Sequence, residues 1–247
     1  DRRPLDASGA RWVNGVPVWM FDEAGVDGPE GDELRGAGHP FHLVCGTGPS
    51  RVVIPETGVL EVDMRGLVAR LQERATRGGA TLLGETRVEG LEGNVLRTST
   101  GEVTARTIVD ASGLGGAGLL PSSAPDPVHV CAAAQAVHDI ADRSAAAAFA
   151  ERHHVGGGET LCFTGIAGGY SILNVRIQGD AVSILTGSIP ALGHPSGKAL
   201  LDRFVAEQPW VGPRRFGGAR AIPLSRPVDR LTRGPVALLG DAARQVF

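Results

Sequence analysis

Lysine is almost missing from this 247-residue chain. Lys198 is the only one, so a mechanism built on a lysine amine has a single residue to draw on. Tyrosine also occurs once, beside seven Phe and three Trp, which is too few aromatics for a platform that stacks single-stranded nucleic acid. The net charge of −3 offers no electrostatic footprint for a polyanion or an anionic membrane surface. Cys45, Cys131 and Cys162 are far apart, with no Cys-x-x-Cys pair. Their odd number argues against a disulfide framework and fits thiols kept reduced in a cytoplasm. No apolar run reaches the ~18 residues of a membrane-spanning helix, and no signal peptide is expected before the first strand. The seven histidines lack metal-ligand spacing, and neither Ser112 nor Ser171 sits in a Gly-x-Ser-x-Gly nucleophile turn.

Glycine is abundant, at 36 residues, about twice the usual share. Such an excess suits tight turns and close approach of backbone to a ligand. The length supports one large or two interlocked domains with a sizeable core. The hydrophobic and charged fractions, 42% and 21%, are ordinary for a soluble globular protein.

Residues 11–21 suggest a strand, a turn at Asn14-Gly15 and a second strand. Residues 22–38 suggest a loop, and His39–Val44 and Ser50–Ile54 further strands. The clearest helix spans residues 63–77: Asp63 is a good N-cap, Leu67, Val68, Leu71 and Ala75 share one face, and Gly78-Gly79 ends it. Short extended pieces at Thr81–Leu83, Arg87–Leu91, Val95–Ser99 and Val103–Val109 lead to Asp110-Ala111-Ser112-Gly113. A Gly-, Ser- and Pro-rich crossing over 114–127 precedes a second block. That block holds a strand near 128–136, an Ala-rich helix near 141–152, and strands at 160–165, 169–177 and 181–189. A helix over 196–208 and a short strand at 219–223 complete it. His153-His154 at the end of the Ala-rich helix suits a surface or helix-dipole role.

The most informative segment is Gly240-Asp241-Ala242-Ala243, which follows the apolar run Val236–Leu239. A buried strand that ends in small residues and opens a helix would present free N–H groups and a positive dipole end to an anion. This motif, the helix beginning Val62-Asp63-Met64-Arg65 and the passage Thr107–Gly113 occur in the order seen in a known group. Together they resemble the FAD-dependent oxidoreductase superfamily of the para-hydroxybenzoate hydroxylase and geranylgeranyl reductase type. The resemblance runs over nearly the whole chain. It implies a mixed α/β fold, in which a Rossmann-like FAD-binding domain (1–10, 61–113 and 234–247) interleaves with a mainly antiparallel substrate domain (11–60 and 114–233).

It also implies a set of cofactor contacts. Asp1 and Arg2 match the acidic tip of the second FAD strand, which binds adenosine ribose hydroxyls, with a Gly-x-Gly-x-x-Gly turn expected upstream. The chain is therefore expected to be an internal stretch of a longer protein. Arg65 matches an arginine that reaches the ribityl–pyrophosphate region, where a guanidinium neutralises phosphate. Val88 matches a main-chain contact to adenine, and Ala111, Ser112 and Gly113 a close approach to the ADP moiety. Gly240, Asp241 and Ala242 match the ribityl and pyrophosphate contacts. Ile222–Leu224 and Pro227–Leu231 match a Pro-containing segment that passes near the flavin. Where geranylgeranyl reductases carry Tyr-x-Trp-x-Phe-Pro, this chain reads Tyr170-Ser171-Ile172-Leu173-Asn174-Val175, which departs from an isoprenoid-reducing pattern.

The implied activity is a monooxygenase or reductase acting on a hydrophobic organic small molecule, with FAD as cofactor and NAD(P)H a candidate electron donor. Trp12, Trp19, Met20 and Phe21 suit either the wall of a substrate cavity or packing on a sheet face. A non-redox flavin-dependent cyclase relative and a scaffold without turnover are the alternatives. No acid–base residue is singled out, and neither nucleic acid nor an integral membrane segment is expected.

Overall fold

The computed structural model describes residues 1–121 and 124–245. Ser122 and Ser123 of the expected crossing, and Val246 and Phe247 at the end, lie outside the described residues. In chain order the elements begin β1 (Val13–Pro17), α1 (Val18–Ala24), β2 (Leu34–Ala37), β3 (Phe41–Cys45), β4 (Arg51–Ile54), β5 (Val59–Asp63) and α2 (Met64–Arg77). There follow β6 (Val88–Glu92), β7 (Val95–Thr98), β8 (Gly101–Thr104), β9 (Ile108–Asp110), β10 (Val130–Ile140) and α3 (Arg143–Arg152). The last are β11 (Thr160–Thr164), β12 (Ser171–Gln178), β13 (Ala181–Ser188), α4 (Gly197–Glu207), β14 (Val211–Pro223), β15 (Thr232–Arg233) and β16 (Val236–Leu238). The fold class is mixed α/β, as the motif order implies. Two compact units share the chain. The smaller comprises Asp1–Ser8, Arg74–Cys131 and Ala221–Phe247, the larger Gly9–Glu73 and Ala132–Arg220.

The larger unit is organised by a seven-stranded sheet in the order β14-β10-β13-β12-β11-β3-β4. The pairs β10–β13, β13–β12, β12–β11 and β3–β4 are antiparallel, and β11 runs parallel to β3. Alternation along the strands sends Leu161 and Phe163, Leu173 and Val175, and Val182 and Ile184 to one face. There they meet Ala146 and Phe149 of α3, Leu201 and Phe204 of α4, and Trp210 in one core. Phe149 stands 5.2 Å from Trp210 and 6.1 Å from Phe204 between ring centroids, within the range of favourable aromatic packing. Both helices start on side-chain caps: Asp142 accepts from the Ser144 and Ala145 N–H groups, and Ser196 from that of Ala199. The outer strand β4 leaves Val52, Val53 and Ile54 exposed.

A second, three-stranded sheet in this unit has the order β1-β5-β2. It corrects the expected turn at Asn14-Gly15. Residues 13–17 form one strand paired with β5, and Gly15 lies in its middle opposite Glu61. A Cβ on Gly15 would come 2.8 Å from the Val59 side chain, so glycine here makes room for a neighbour instead of turning the chain. Pro17 then precedes α1, where a second strand was expected. Phe21 of α1 packs with Val62 and Leu67, while Trp19 is exposed. The expected loop at 22–38 contains β2, whose Leu34 pairs with Val62.

In the smaller unit β6, β7 and β8 form an antiparallel meander, and β16 lies between β15 and β9. The extended piece expected over 103–109 is divided: β8 closes the meander and β9 joins the other sheet. Thr81–Leu83 is not a strand. Ile108, Leu120, Val236, Leu238 and Ala243 make the core of this unit. His153 corrects a further expectation. Its ring lies 4.6 Å from that of Phe149 and 5.2 Å from that of Phe163. Burial first, then the charges of Arg152, Arg51 and His154, lowers its pKa from the ordinary histidine value, and its ring packs between the two phenylalanines.

Truncating Phe149 to Ala empties the centre of the aromatic cluster. The expected loss is ~3–5 kcal/mol of unfolding free energy, read by urea denaturation.

Candidate functional site

In the smaller unit the parallel register pairs Val236 with Ile108, Ala237 with Val109 and Leu238 with Asp110. Two small-residue turns therefore leave the C-terminal ends of neighbouring parallel strands: Ala111-Ser112-Gly113 from β9 and Gly240-Asp241-Ala242 from β16. The Leu239 N–H continues the pairing by donating to the Asp110 carbonyl at 3.0 Å. In open sheets with parallel strands, ligands settle outside such strand ends.

Asp110 shapes the first turn. Its buried carboxylate accepts from the Ser112 N–H at 3.0 Å, from the Ser112 hydroxyl, and from the Leu119 N–H at 3.4 Å. Ser112 Oγ in turn accepts from the Ala117 N–H at 2.7 Å. A Cβ on Gly116 would stand 1.8 Å from that oxygen, so the loop closes only over glycine. Around the tips there is space instead. Gly113 and Gly240 have φ of +86° and +62°, and a Cβ on either meets no atom within 4 Å. Ala111, Ser112 and Asp241 are exposed. The second turn departs from the expected helix start: Gly240–Ala243 is a four-residue 3₁₀ turn that ends on Arg244 in the left-handed region. Its attraction for an anion would rest on local N–H groups, not on a long helix dipole.

Asp1 and Arg2 lie along a different strip of the same unit. The Thr86 N–H donates to the Asp1 carbonyl at 2.8 Å and the Glu85 N–H to the Arg3 carbonyl at 2.9 Å. The opening residues thus run beside 83–86, just before β6 and Val88. The Asp1 carboxylate accepts from the Arg3 N–H at 2.8 Å.

A cleft of about 710 Å³ in this unit is lined by His129, Leu224, Arg226, Val228, Arg230 and Arg244, among others. Two backbone bonds fix its walls: the Leu224 N–H donates to the His129 carbonyl at 2.7 Å, and the Val228 N–H to the Ala243 carbonyl at 3.1 Å. The Pro-containing segment and the aspartate turn therefore belong to one wall system. Ser225 Oγ is buried without a hydrogen-bond partner among the described residues. Arginines outnumber the cleft's two aspartates, Asp126 and Asp229, which gives it a cationic lining.

Arg65 belongs to the larger unit. Its Nε and Nη2 donate to Asp63 at 3.0 and 2.7 Å, and its guanidinium carbon lies 3.5 Å from the centre of the Phe216 ring. Arg35 Nη2 donates to the same carboxylate at 2.8 Å. Burial raises the pKa of Asp63, but the hydrogen bonds from Arg65 and Arg35 overcome it and hold the group at about 2. Both arginines, with Arg215, line a cleft of about 530 Å³. Asp63 was legible as a helix cap, and it does accept from the Arg65 N–H at 3.1 Å. Its role as counter-ion to two arginines was not.

Gln135, Asn174 and Arg176 were not singled out from sequence. They line a third cavity, of about 310 Å³, on the face of the seven-stranded sheet away from the aromatic core. The available signal was the polar pair 174 and 176 alternating with apolar 173, 175 and 177 in β12.

No protein-family model matches this chain, and no curated protein matches it. Solved structures do. A geranylgeranyl bacteriochlorophyll reductase-like protein from Thermoplasma acidophilum superposes with a TM-score of 0.76 at 17% identity, over 99% of this chain and 64% of its own. An aklavinone-11 hydroxylase, solved with FAD and aklavinone, gives 0.61 at 15% identity, over 98% of this chain and 52% of its own. A flavin-dependent brominase gives 0.59 at 14%, over 92% and 58%. The chain thus spans 52–64% of these proteins' lengths. At such identities the likeness establishes a fold shared with these proteins.

The Asp63 pair carries a pH signature. Its folded pKa of about 2 lies below the ordinary value near 3.9. The pair therefore stabilises the fold fully above about pH 4 and loses that contribution as pH falls towards 2. With both arginines partly exposed, the effect is about 1–2 kcal/mol. Urea denaturation between pH 2 and 6 should show this slope in the unmodified chain and a flatter one in Asp63→Asn.

Proposed function

We propose that the chain belongs to a FAD-dependent oxidoreductase, a monooxygenase or reductase acting on a hydrophobic organic small molecule. One observation carries this: the two small-residue turns that leave adjacent parallel strands, with open space at both glycines. The residues present fit an extended dinucleotide. Ala111, Ser112 and Gly113 on one side, and Gly240 and Ala242 on the other, would let its backbone-facing edge approach closely. Asp241, exposed on its turn, would accept from a ribityl hydroxyl. Asp1, Arg2 and the main chain of Val88 would serve the adenosine end. The fold shared with a FAD-containing hydroxylase and a flavin-dependent brominase supports the same assignment.

FAD, when bound, would supply the electron-transfer chemistry, with NAD(P)H as the candidate donor. The chain's share is binding and orientation. Asp110 and Ser112 hold the first turn open, and the β9–β16 pairing sets the spacing between the turns. The cleft lined by Arg226, Arg230 and Arg244 would favour a negatively charged group there. No residue is assigned a proton-transfer role.

The test is FAD titration followed by flavin fluorescence. Saturable binding is expected, with anaerobic NADH or NADPH bleaching the visible flavin band. Asp241→Ala, which removes an exposed side chain, should weaken FAD about tenfold and leave the thermal unfolding midpoint unchanged. Absence of saturable FAD binding, or equal affinity in the variant, would count against the assignment.

A further inference from the structure

The face of the seven-stranded sheet opposite the aromatic core holds two buried polar atoms without partners among the described residues, and both residues line one cavity. β12 turns Asn174 and Arg176 to the side opposite Leu173 and Val175, which face the core. Register places Cys162, Asn174, Leu185 and Gln135 in one row across four strands, and Arg176 beside Ser183 in the next. The cavity of about 310 Å³ has apolar walls from Val13, Phe41, Val59 and Leu185. Asn174 Oδ1 and Arg176 Nη1 are buried there with no hydrogen-bond partner among the described residues. Arg176 is 93% buried, from a relative exposure of 7%.

A buried donor and a buried acceptor left without partners each destabilise the fold, the charged group more so. Gln135, on the same wall, is by contrast satisfied: its side chain accepts from the Val13 N–H at 3.1 Å and donates to the Val13 carbonyl at 2.8 Å. Polar groups on this face are therefore not orphaned by the sheet geometry as such. Among the described residues of this face, only Asn174 Oδ1 and Arg176 Nη1 are buried without partners.

Charge narrows the choice of ligand. Glu61 Oε2 lies 3.4 Å from Arg176 Nη1 and already balances its charge without making a hydrogen bond to it. Burial lowers the pKa of Arg176 and Glu61 raises it. An anionic ligand would bring a second negative charge beside Glu61 in a desolvated space, which is costly. A neutral group that offers one acceptor and one donor satisfies both orphans and keeps the count at zero.

We propose that this cavity is the binding site for a neutral, carboxamide-like organic molecule, its carbonyl accepting from Arg176 Nη1 and its N–H donating to Asn174 Oδ1. The apolar walls take the hydrocarbon or aromatic body. A few placed polar groups in an apolar pocket are the usual make-up of a small-molecule site. The proposal deepens the flavoenzyme assignment by naming a substrate class, and rests on it only in calling the ligand a substrate.

Three probes of similar size separate the possibilities on the purified chain: benzamide, benzoate and toluene, ranked by saturation-transfer NMR and titration. Benzamide is expected to bind tightest. Asn174→Leu should weaken benzamide about tenfold and leave toluene unchanged. Benzoate binding as tightly as benzamide, no saturable benzamide binding, or an unchanged affinity in Asn174→Leu would overturn the proposal. The probe order needs no variant, so it decides the matter even if Asn174→Leu fails to fold. FAD titration on the same sample keeps the two assignments apart. Benzamide selectivity without FAD uptake supports the cavity and defeats the flavoenzyme assignment. FAD uptake without benzamide selectivity defeats the cavity proposal alone.

Discussion

Three residue pairs of parallel backbone pairing, from Val236 with Ile108 to Leu238 with Asp110, hold the candidate cofactor site together. They join segments far apart in sequence, and they put two glycine-bearing turns side by side. Everything else at that site is support. Asp110 spends both carboxylate oxygens on the loop that follows it, and Ser112 passes that order on to Ala117. A buried, fully partnered carboxylate at a strand end makes a rigid anchor. The mobile-looking composition of the loop, nearly all Gly, Ala, Ser and Leu, is thus misleading about its order.

The larger unit solves a different problem with one sheet. One face is given to the aromatic core, where Phe149, Phe204 and Trp210 meet the strands. The other carries the polar and charged side chains that sheet alternation sends away from that core. A single sheet therefore divides its side chains: the packed face supplies apolar burial, and the opposite face carries Gln135, Asn174 and Arg176. Asp63 extends the same division of labour. Its two arginines are pinned by a carboxylate with only 4% side-chain exposure, so they line their cleft with little freedom to collapse onto other surface.

Periodicity made the helices and most strands of the larger unit legible. Leu67 recurs with helical neighbours after a capping Asp63, and α4 repeats apolar residues at 200, 201 and 204 after Ser196. Glycine was the weaker guide. Gly15 looked like a hairpin turn because Asn-Gly favours one, yet its missing side chain serves Val59 across the pair. The Gly-Asp-Ala-Ala segment does follow a buried strand, but it forms a four-residue 3₁₀ turn where a helix start was expected, a distinction that four residues do not encode. The division of 103–109 between two sheets was illegible for a related reason, since partner choice is non-local. Arg176 was passed over because a lone arginine in a strand is ordinarily a surface group. Only the three-dimensional pairing with Glu61 and the unfilled cavity reveals it.

Both units are built from discontinuous stretches of chain, three for the smaller and two for the larger. During synthesis, β9 leaves the ribosome long before β16 exists to pair with it, and β3 must wait for β11. For that interval apolar strand edges have no partner. Such non-local closure slows folding, and exposed edges are where chains associate wrongly. The two glycine turns therefore come side by side only once β16 has been made and paired with β9.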